Sequence, residues 1–144
     1  MHYKPPSDEA IRERLLTART IAVVGLSPKP ARTSYSVSRI MQGFGYRIIP
    51  VRPDGGEILG EAVYESLEEI KTENNIDLVN VFRASPFVSD LIDDCIRQEM
   101  KAVWLQEGVI DEQAALRAQQ NGLFVVMNRC IYKDYVRLIG SKQR

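Results

Sequence analysis

Five short, mainly apolar runs recur along the chain, the first of them continuous, and each is followed by a turn and then by apolar residues at helical spacing. The runs cover residues 21–24, 46–51, 78–82, 102–105 and 123–126. A strand without a polar face must be buried on both sides, which is typical of a parallel sheet covered by helices. The runs therefore predict the central layer of an α/β protein.

Helical patterns precede, separate and follow these runs, over residues 8–18, 34–43, 67–71, 86–98, 112–120 and 131–138. Alternating strands and helices joined by right-handed crossovers give a doubly wound sheet. We therefore predict one α/β domain over residues 1–144, with a Rossmann-like, five-stranded parallel sheet. Residues 52–66 are predicted to be a turn-rich connection, and residues 1–6 a flexible tail.

Charge and hydropathy narrow the classes of ligand and partner. The 19 basic and 19 acidic residues give a formal net charge of zero, which argues against a general nucleic-acid binder. No apolar run approaches the roughly 20 residues that span a bilayer, and the N-terminus lacks the apolar core of a signal peptide. We therefore expect a cytoplasmic protein with no membrane partner.

Residue types used in catalysis and metal binding are scarce. His2 is the single histidine and falls in the predicted tail, so the body of the chain lacks the commonest general base and metal ligand. Cys95 and Cys130 form neither a disulfide framework nor a metal-ligand spacing. The sequence predicts no catalytic residue and no metal site.

The loop after the first strand has the composition of a phosphate-binding turn. In a doubly wound sheet, ligands bind outside the carboxyl ends of the strands, and a helix N-terminus there favours an anion. Gly25 allows close backbone approach, while Ser27 and Ser34 offer hydroxyl groups. Lys29 and Arg32 add positive charge. A solvated loop with two incidental cations would have the same composition.

The end of the second strand discriminates between nucleotides. An NAD enzyme usually carries Asp or Glu here, which accepts hydrogen bonds from the ribose. This chain has Arg52, which would bind a phosphorylated ribose, and Pro53, which offers an apolar surface to a base. Asp54 is a weaker acidic candidate beyond the proline, and Arg52 could simply be an exposed arginine. Plain NAD is therefore disfavoured.

NADP and coenzyme A both carry an additional ribose phosphate, so this reasoning leaves both open. The usual dinucleotide turn has three glycines, whereas this chain has Gly25, Ser27 and Pro30 in that frame. The second and third glycines normally let the pyrophosphate and the helix approach closely. Their loss disfavours a dinucleotide.

The later strands end in residues that could line the rest of a cleft. Phe82 could form a slot for an adenine or a pantetheine arm, with Arg83 beside it. Gln106 could hydrogen-bond an amide chain, and Gly108 permits close approach. Core aromatic residues and a surface arginine would explain the same pattern. Asn80 needs a polar partner if its strand is buried.

Five blocks of the sequence together resemble the small bacterial and archaeal CoA-binding proteins. The blocks are AVVGLSPKPARTSY, GYRIIPVRPDGGEILGEAVYESL, VNVFRASPFV, VWLQEGV and VVMNRCI, in that order over residues 16–138. This domain is similar to the CoA-binding N-terminal domain of the succinyl-CoA synthetase alpha subunit. Nothing here matches that synthetase's second domain with its phosphorylated histidine, so the resemblance carries over no catalytic residue.

The resemblance implies coenzyme A as the ligand and a row of contacts along the carboxyl edge of the sheet. The residues implied at the phosphate region are Gly25, Ser27, Lys29, Arg32, Ser34 and Tyr35. Those implied beside the adenosine are Val51, Arg52 and Pro53. Those implied along the remaining ligand are Phe82, Arg83, Gln106 and Gly108.

Non-catalytic binding of coenzyme A or an acyl-CoA is the function we favour from the sequence, with an acyl-CoA-handling protein as a candidate partner. An NADP-dependent reductase is the alternative suggested by Arg52, although no substrate domain is evident. A protein-interaction module with a vestigial cleft is a third reading. Cys130 follows the last strand, where its thiol could exchange with CoA disulfide, although a buried, inert cysteine is commoner.

Overall fold

Seven strands and six helices make up the computed structural model, which describes residues 1–144. The strands are β1 (Thr20–Val24), β2 (Arg47–Val51), β3 (Glu57–Ile58), β4 (Glu61–Ala62), β5 (Leu78–Val81), β6 (Ala102–Leu105) and β7 (Phe124–Met127). The helices are α1 (Asp8–Thr17), α2 (Thr33–Gly43), α3 (Leu67–Lys71), α4 (Val88–Arg97), α5 (Glu112–Gln120) and α6 (Ile131–Leu138). The five predicted strands and six predicted helices are all present, with ends shifted by one or two residues.

The central sheet has the order β2-β1-β5-β6-β7, and every pairing in it is parallel. The chain adds β2 on one side of β1 and then β5, β6 and β7 on the other, so the strand order reverses between β1 and β5. This doubly wound order confirms the predicted Rossmann-like fold. It also identifies the carboxyl ends of β1 and β5 as the place where such sheets bind ligands.

The sheet is buried on both faces because its strands alternate between two hydrophobic clusters. Along β1, Ile21 and Val23 face the cluster formed with α1, α2 and α6. Ala22 and Val24 face the cluster formed with α3, α4 and α5. Full burial of one such aliphatic side chain contributes about 1.5–3 kcal/mol, so the continuous apolar run stabilises both layers at once.

Residues 52–66, predicted as a turn-rich connection, contain a two-stranded hairpin of β3 and β4. Its turn residues, Leu59 and Gly60, both have positive φ, the geometry that matches the twist of a two-residue hairpin. Two residues per strand are too few to show an alternating pattern in the sequence. The chain then returns along β2, where Tyr64 accepts a hydrogen bond from the Arg52 N–H and donates one to the Pro50 carbonyl.

The N-terminal segment contacts the domain, in contrast to the tail predicted for residues 1–6. The Tyr3 hydroxyl donates to the Val125 carbonyl at 3.2 Å, on the edge strand β7. The Lys4 backbone exchanges hydrogen bonds with the amide side chain of Gln119 on α5. His2 remains exposed within this segment. None of the six helices is long and apolar enough to cross a membrane.

Asp77 ties the start of β5 to the start of β1. Its Oδ2 accepts hydrogen bonds from the backbone N–H groups of Arg19 at 2.9 Å and Thr20 at 3.0 Å, while Oδ1 accepts one from Lys101. Desolvation raises the pKa of Asp77, but these hydrogen bonds and the charge of Lys101 outweigh it, so the pKa lies below its usual value. The ionised carboxylate therefore stabilises the folded state.

We expect Asp77→Asn to lower the free energy of unfolding at pH 7 by about 1–3 kcal/mol, because the amide loses the negative charge that strengthens the two backbone hydrogen bonds and, with its oxygen kept on them, turns its NH2 group toward Lys101. Folding lowers the pKa of Asp77, so its contribution is complete above the unfolded-state pKa of about 3.9 and disappears as the pH falls through the folded-state value. Urea unfolding from pH 7 to pH 3 should show the difference from wild type shrinking. Asp90→Asn, at an exposed position without an ion pair, is the matched control; equal stability of Asp77→Asn and Asp90→Asn at pH 7 would contradict the role.

Candidate functional site

A cleft of about 820 Å³ opens at the carboxyl ends of β1, β2 and β5. This is the edge at which the strand order reverses, where the fold is expected to bind a ligand. Three segments form the cleft: the loop from β1 into α2, the end of β2, and the end of β5. The residues that line it are Gly25, Leu26, Ser27, Pro28, Lys29, Ala31, Arg32, Thr33, Ser34, Val51, Arg52, Pro53, Phe82 and Arg83.

Gly25 joins the three strand ends at the floor of the cleft. Its N–H donates to the Val51 carbonyl at 3.0 Å, and its φ is +86°. A Cβ at this position would lie 2.4 Å from the carbonyl oxygen of Phe82. Only glycine combines the left-handed conformation with this close approach, so the turn depends on it.

The loop after Gly25 is held by its own serine side chains. The buried Ser34 hydroxyl accepts a hydrogen bond from the Ser27 N–H at 3.0 Å. The Ser27 hydroxyl in turn accepts one from the Lys29 N–H at 3.1 Å. Both hydroxyl hydrogens remain able to donate to a ligand oxygen. The two serines therefore shape the loop and can also take part in anion binding.

The N-terminus of α2 opens into the cleft without a side-chain cap. Arg32 is the capping residue, and its side chain makes no capping hydrogen bond. The backbone N–H groups of Thr33 and Ser34 have no acceptor within the protein. Free N–H groups at the positive end of a helix dipole, next to lysine and arginine, are suited to a phosphate group.

Four cations line the cleft, and no carboxylate does. Lys29, Arg32 and Arg83 make no ion pair, and the Arg83 guanidinium stacks 4.5 Å from the ring centre of Phe87. Arg52 is the exception, because it pairs with Asp54 outside the lining and donates to the Leu26 carbonyl. The cleft is therefore strongly positive in a chain whose formal net charge is zero.

Ten of the thirteen residues proposed from the sequence line this cleft, and three do not. The Gln106 side chain is buried and accepts a hydrogen bond from the Ile131 N–H, at the start of α6. Gly108 donates its N–H to Asn128, in a neighbouring loop. Tyr35 packs against the cluster between the sheet and α2. The structure therefore does not bring these three residues to the cleft.

Four lining residues were not proposed from the sequence: Leu26, Pro28, Ala31 and Thr33. Leu26 is fully buried, and Pro28 and Ala31 are loop residues without a polar side chain. Only Thr33 had a recognisable signal, since a hydroxyl residue beside a helix start is a common phosphate contact. The others line the cleft because of the path of the loop, which residue type does not reveal.

Two further polar residues and both cysteines lie elsewhere. Glu107 pairs with Lys133, and the buried Asn80 side-chain oxygen has no partner in the protein. Cys130 is buried in the cluster under α6 and does not line the cleft. Burial raises the pKa of the Cys95 thiol to about 12, which agrees with a core cysteine. Both thiols have the burial typical of structural cysteines.

The strand-order reversal, the uncapped helix N-terminus and the cations are together typical of α/β domains that bind nucleotides. Residues 19–135 match the family described as the CoA binding domain. The chain belongs to this family, which confirms the resemblance in its sequence. The matched region contains the whole central sheet and every residue that lines the cleft.

Comparison with known proteins shows two kinds of relative. Uncharacterized protein YneT of Bacillus subtilis is 41% identical over 126 residues, which cover 88% of this chain and 92% of that protein. The alpha subunit of ADP-forming acetate–CoA ligase I of Pyrococcus furiosus is 31% identical over 97 residues, which cover 63% of this chain but 21% of the subunit. A solved structure, a hypothetical protein from Pyrococcus horikoshii, has a TM-score of 0.88 and 34% identity, covering 95% of this chain and 97% of that one.

We expect Gly25→Ala to lower the free energy of unfolding by about 3 kcal/mol or more, because the strain of positive φ adds to a clash with the Phe82 carbonyl. Gly122→Ala is the matched control, since Gly122 has the same φ of +86° but no atom within 4 Å of the added Cβ. The control should lose only about 1–2 kcal/mol. Equal losses in urea unfolding would show that the close approach at Gly25 is unimportant.

Proposed function

We propose that this protein binds coenzyme A, or an acyl-CoA, in the cleft at the carboxyl edge of the sheet and does not itself catalyse a reaction on it. The observation that carries the proposal is the set of four cations around an uncapped helix N-terminus, with no carboxylate in the lining. Coenzyme A carries a pyrophosphate and a ribose phosphate, so several negative groups would meet this surface. Membership of the CoA-binding domain family supports the same ligand.

The phosphate-binding part of the cleft would be the loop from β1 into α2. The free N–H groups of Thr33 and Ser34 and the hydroxyl group of Ser27 can donate to phosphate oxygens. Lys29 and Arg32 would supply charge at the same point. Hydrogen bonds to a charged group contribute about 1.5–3 kcal/mol each when shielded from water, so a few of them would give micromolar binding or better.

Arg52 would bind the ribose phosphate, and its neighbours would bind the adenosine. The guanidinium lies at the end of β2, where Tyr64 holds the backbone by accepting a hydrogen bond from the Arg52 N–H and donating one to the Pro50 carbonyl. Val51 and Pro53 lie on either side of Arg52 and offer apolar surface to a base. A planar guanidinium matches the geometry of a phosphate, which favours arginine at this position.

The lining also supports binding without catalysis. None of the 14 lining residues is a histidine, cysteine, aspartate or glutamate, so the hydroxyl groups of Ser27, Thr33 and Ser34 have no histidine or carboxylate in the lining to activate them as nucleophiles. In the Pyrococcus furiosus acetate–CoA ligase the similar region covers only 21% of the subunit. We infer that any acyl-transfer chemistry on the bound cofactor would come from a separate acyl-CoA-handling protein.

Calorimetric titration of nucleotide-free protein with coenzyme A, NADPH and NAD tests the ligand directly. We expect saturable one-to-one binding of coenzyme A with a Kd of about 10 μM or lower and much weaker binding of NADPH and NAD. NAD lacks the additional ribose phosphate, and both are dinucleotides, which the loop without the usual second and third glycines disfavours. Preference for NADPH would instead support a reductase. Absence of binding by all three would favour a protein-interaction role for the domain.

We expect Arg52→Ala to weaken coenzyme A binding about tenfold or more, while 3′-dephospho-CoA should bind wild type and variant with similar affinity. Arg39→Ala is the matched control, because Arg39 is an exposed arginine on α2 that does not line the cleft. Equal affinity of the wild-type protein for coenzyme A and 3′-dephospho-CoA would rule out recognition of the ribose phosphate by Arg52.

A further inference from the structure

Arg52 is the one cation of the cleft that already has a negative partner. Its Nη2 donates to Asp54 Oδ2 at 2.9 Å, and its Nη1 lies 3.4 Å from the Leu26 carbonyl oxygen. Lys29, Arg32 and Arg83 have no carboxylate within ion-pair distance. The cation proposed to recognise the ribose phosphate is therefore engaged before any ligand arrives.

We propose that Asp54 is a specificity-determining residue that competes with the ligand's phosphate for Arg52. A carboxylate and a phosphate use the same edge of a guanidinium, since both present two oxygens to its parallel N–H groups. The phosphate must displace Asp54, or bind beside it against like-charge repulsion. Either way, Asp54 weakens binding of ligands that carry this phosphate and leaves other ligands unaffected.

The surroundings of Asp54 allow it to be displaced. Its side chain is 75% exposed, whereas that of Arg52 is 24% exposed. An ion pair with one exposed partner is weakly held, because water solvates the released carboxylate. Gly55 and Gly56 follow directly, both have positive φ, and no atom lies within 4 Å of a Cβ built on either. The loop has room to turn the carboxylate away while the Leu26 contact keeps Arg52 at the cleft.

A competing carboxylate weakens binding, while Arg52 still distinguishes ligands that carry the ribose phosphate. This inference rests on the proposed function, in which the bound coenzyme A must be passed on to other proteins. Without Asp54, all four lining cations would be unpaired, and the ligand with the most phosphate groups would be held longest. With Asp54, part of that attraction is offset at the one position that distinguishes coenzyme A from 3′-dephospho-CoA.

Asp54→Asn tests the proposal, with Glu13→Gln as the control because Glu13 is an exposed carboxylate on α1 outside the cleft. Calorimetric titrations at low salt would use coenzyme A, 3′-dephospho-CoA and adenosine 3′,5′-bisphosphate. We expect Asp54→Asn to bind coenzyme A about three- to tenfold more tightly and 3′-dephospho-CoA with unchanged affinity. Glu13→Gln should match wild type for both ligands.

A second comparison shows whether the effect acts through Arg52. In an Arg52→Ala background the additional Asp54→Asn substitution should leave coenzyme A affinity unchanged, because the competition has no target. An equal gain in both backgrounds would overturn the proposal, since it would reflect only the removal of a negative charge. Weaker binding by Asp54→Asn would also overturn it and make Asp54 a residue that holds Arg52 in place.

The bisphosphate titration separates failure of this inference from failure of the proposed function, because adenosine 3′,5′-bisphosphate carries the same ribose phosphate as coenzyme A. If wild-type protein binds no coenzyme A, the proposed function fails, and the bisphosphate becomes the probe of Arg52. Tighter bisphosphate binding by Asp54→Asn than by wild type or Glu13→Gln would still support competition at Arg52. Binding that is unchanged, or absent from all three proteins, would overturn it.

Discussion

Burial of β1 on both faces is the constraint on which the rest of this structure depends. Ile21 and Val23 face one helical layer, and Ala22 and Val24 face the other. Neither layer can be removed without exposing half of the strand to water, so the parallel sheet requires helices on both sides. Because β1 pairs with β2 on one side and β5 on the other, the strand order reverses beside it. The position of the cleft follows from this topology.

Close approach of the backbone at Gly25 brings the ends of β1, β2 and β5 together at the floor of the cleft. The glycine brings the end of β1 against the Phe82 carbonyl and hydrogen-bonds to the end of β2. The following loop then leads into α2, whose first residues line the cleft and have backbone N–H groups without an acceptor in the protein. The hydroxyl groups of Ser27 and Ser34 stabilise this loop by accepting hydrogen bonds from its own backbone N–H groups. The positively charged side chains around the loop are therefore not needed to hold it. Backbone contacts therefore set the shape of the cleft, and the side chains that line it set its charge.

Charge is distributed unevenly in a protein whose total charge is zero. Most arginines outside the cleft are paired or packed, as in the Arg129–Asp134–Arg137–Asp8 chain that joins the two ends of the domain. Hydrogen bonds to Asp134 and Asp8 outweigh desolvation and raise the pKa of Arg129 and Arg137, so these pairs stabilise the charged arginines in the folded chain. In the cleft, three cations have no such partner and one has an exposed, displaceable carboxylate. Local arrangement, and not net charge, therefore governs the affinity of this surface for anions.

The amino-acid sequence by itself determined the fold, the edge of the sheet at which the cleft lies, and most of the residues that line the cleft. Apolar runs and helical spacing are local patterns, so the order of strands and helices along the chain could be read from them, and the doubly wound sheet was inferred from the rule that crossovers are right-handed. Residues next to each strand end, such as Gly25, Arg52 and Phe82, were recoverable because parallel strands place their carboxyl ends at one edge. The two-residue strands β3 and β4 were too short to produce a pattern.

Tertiary structure alone decided which of the candidate side chains are free to meet a ligand. Gln106 follows a strand as Arg52 does, yet its side chain is used to hold the first residue of α6. Cys130 follows β7 but is buried beneath that helix. The pairing of Arg52 with Asp54, across a proline and beside two glycines, likewise depends on how the turn closes. Sequence position specifies the edge that a residue occupies, whereas its partner is set by the folded backbone, through contacts between distant segments for Gln106 and Cys130 and through closure of the turn for Arg52.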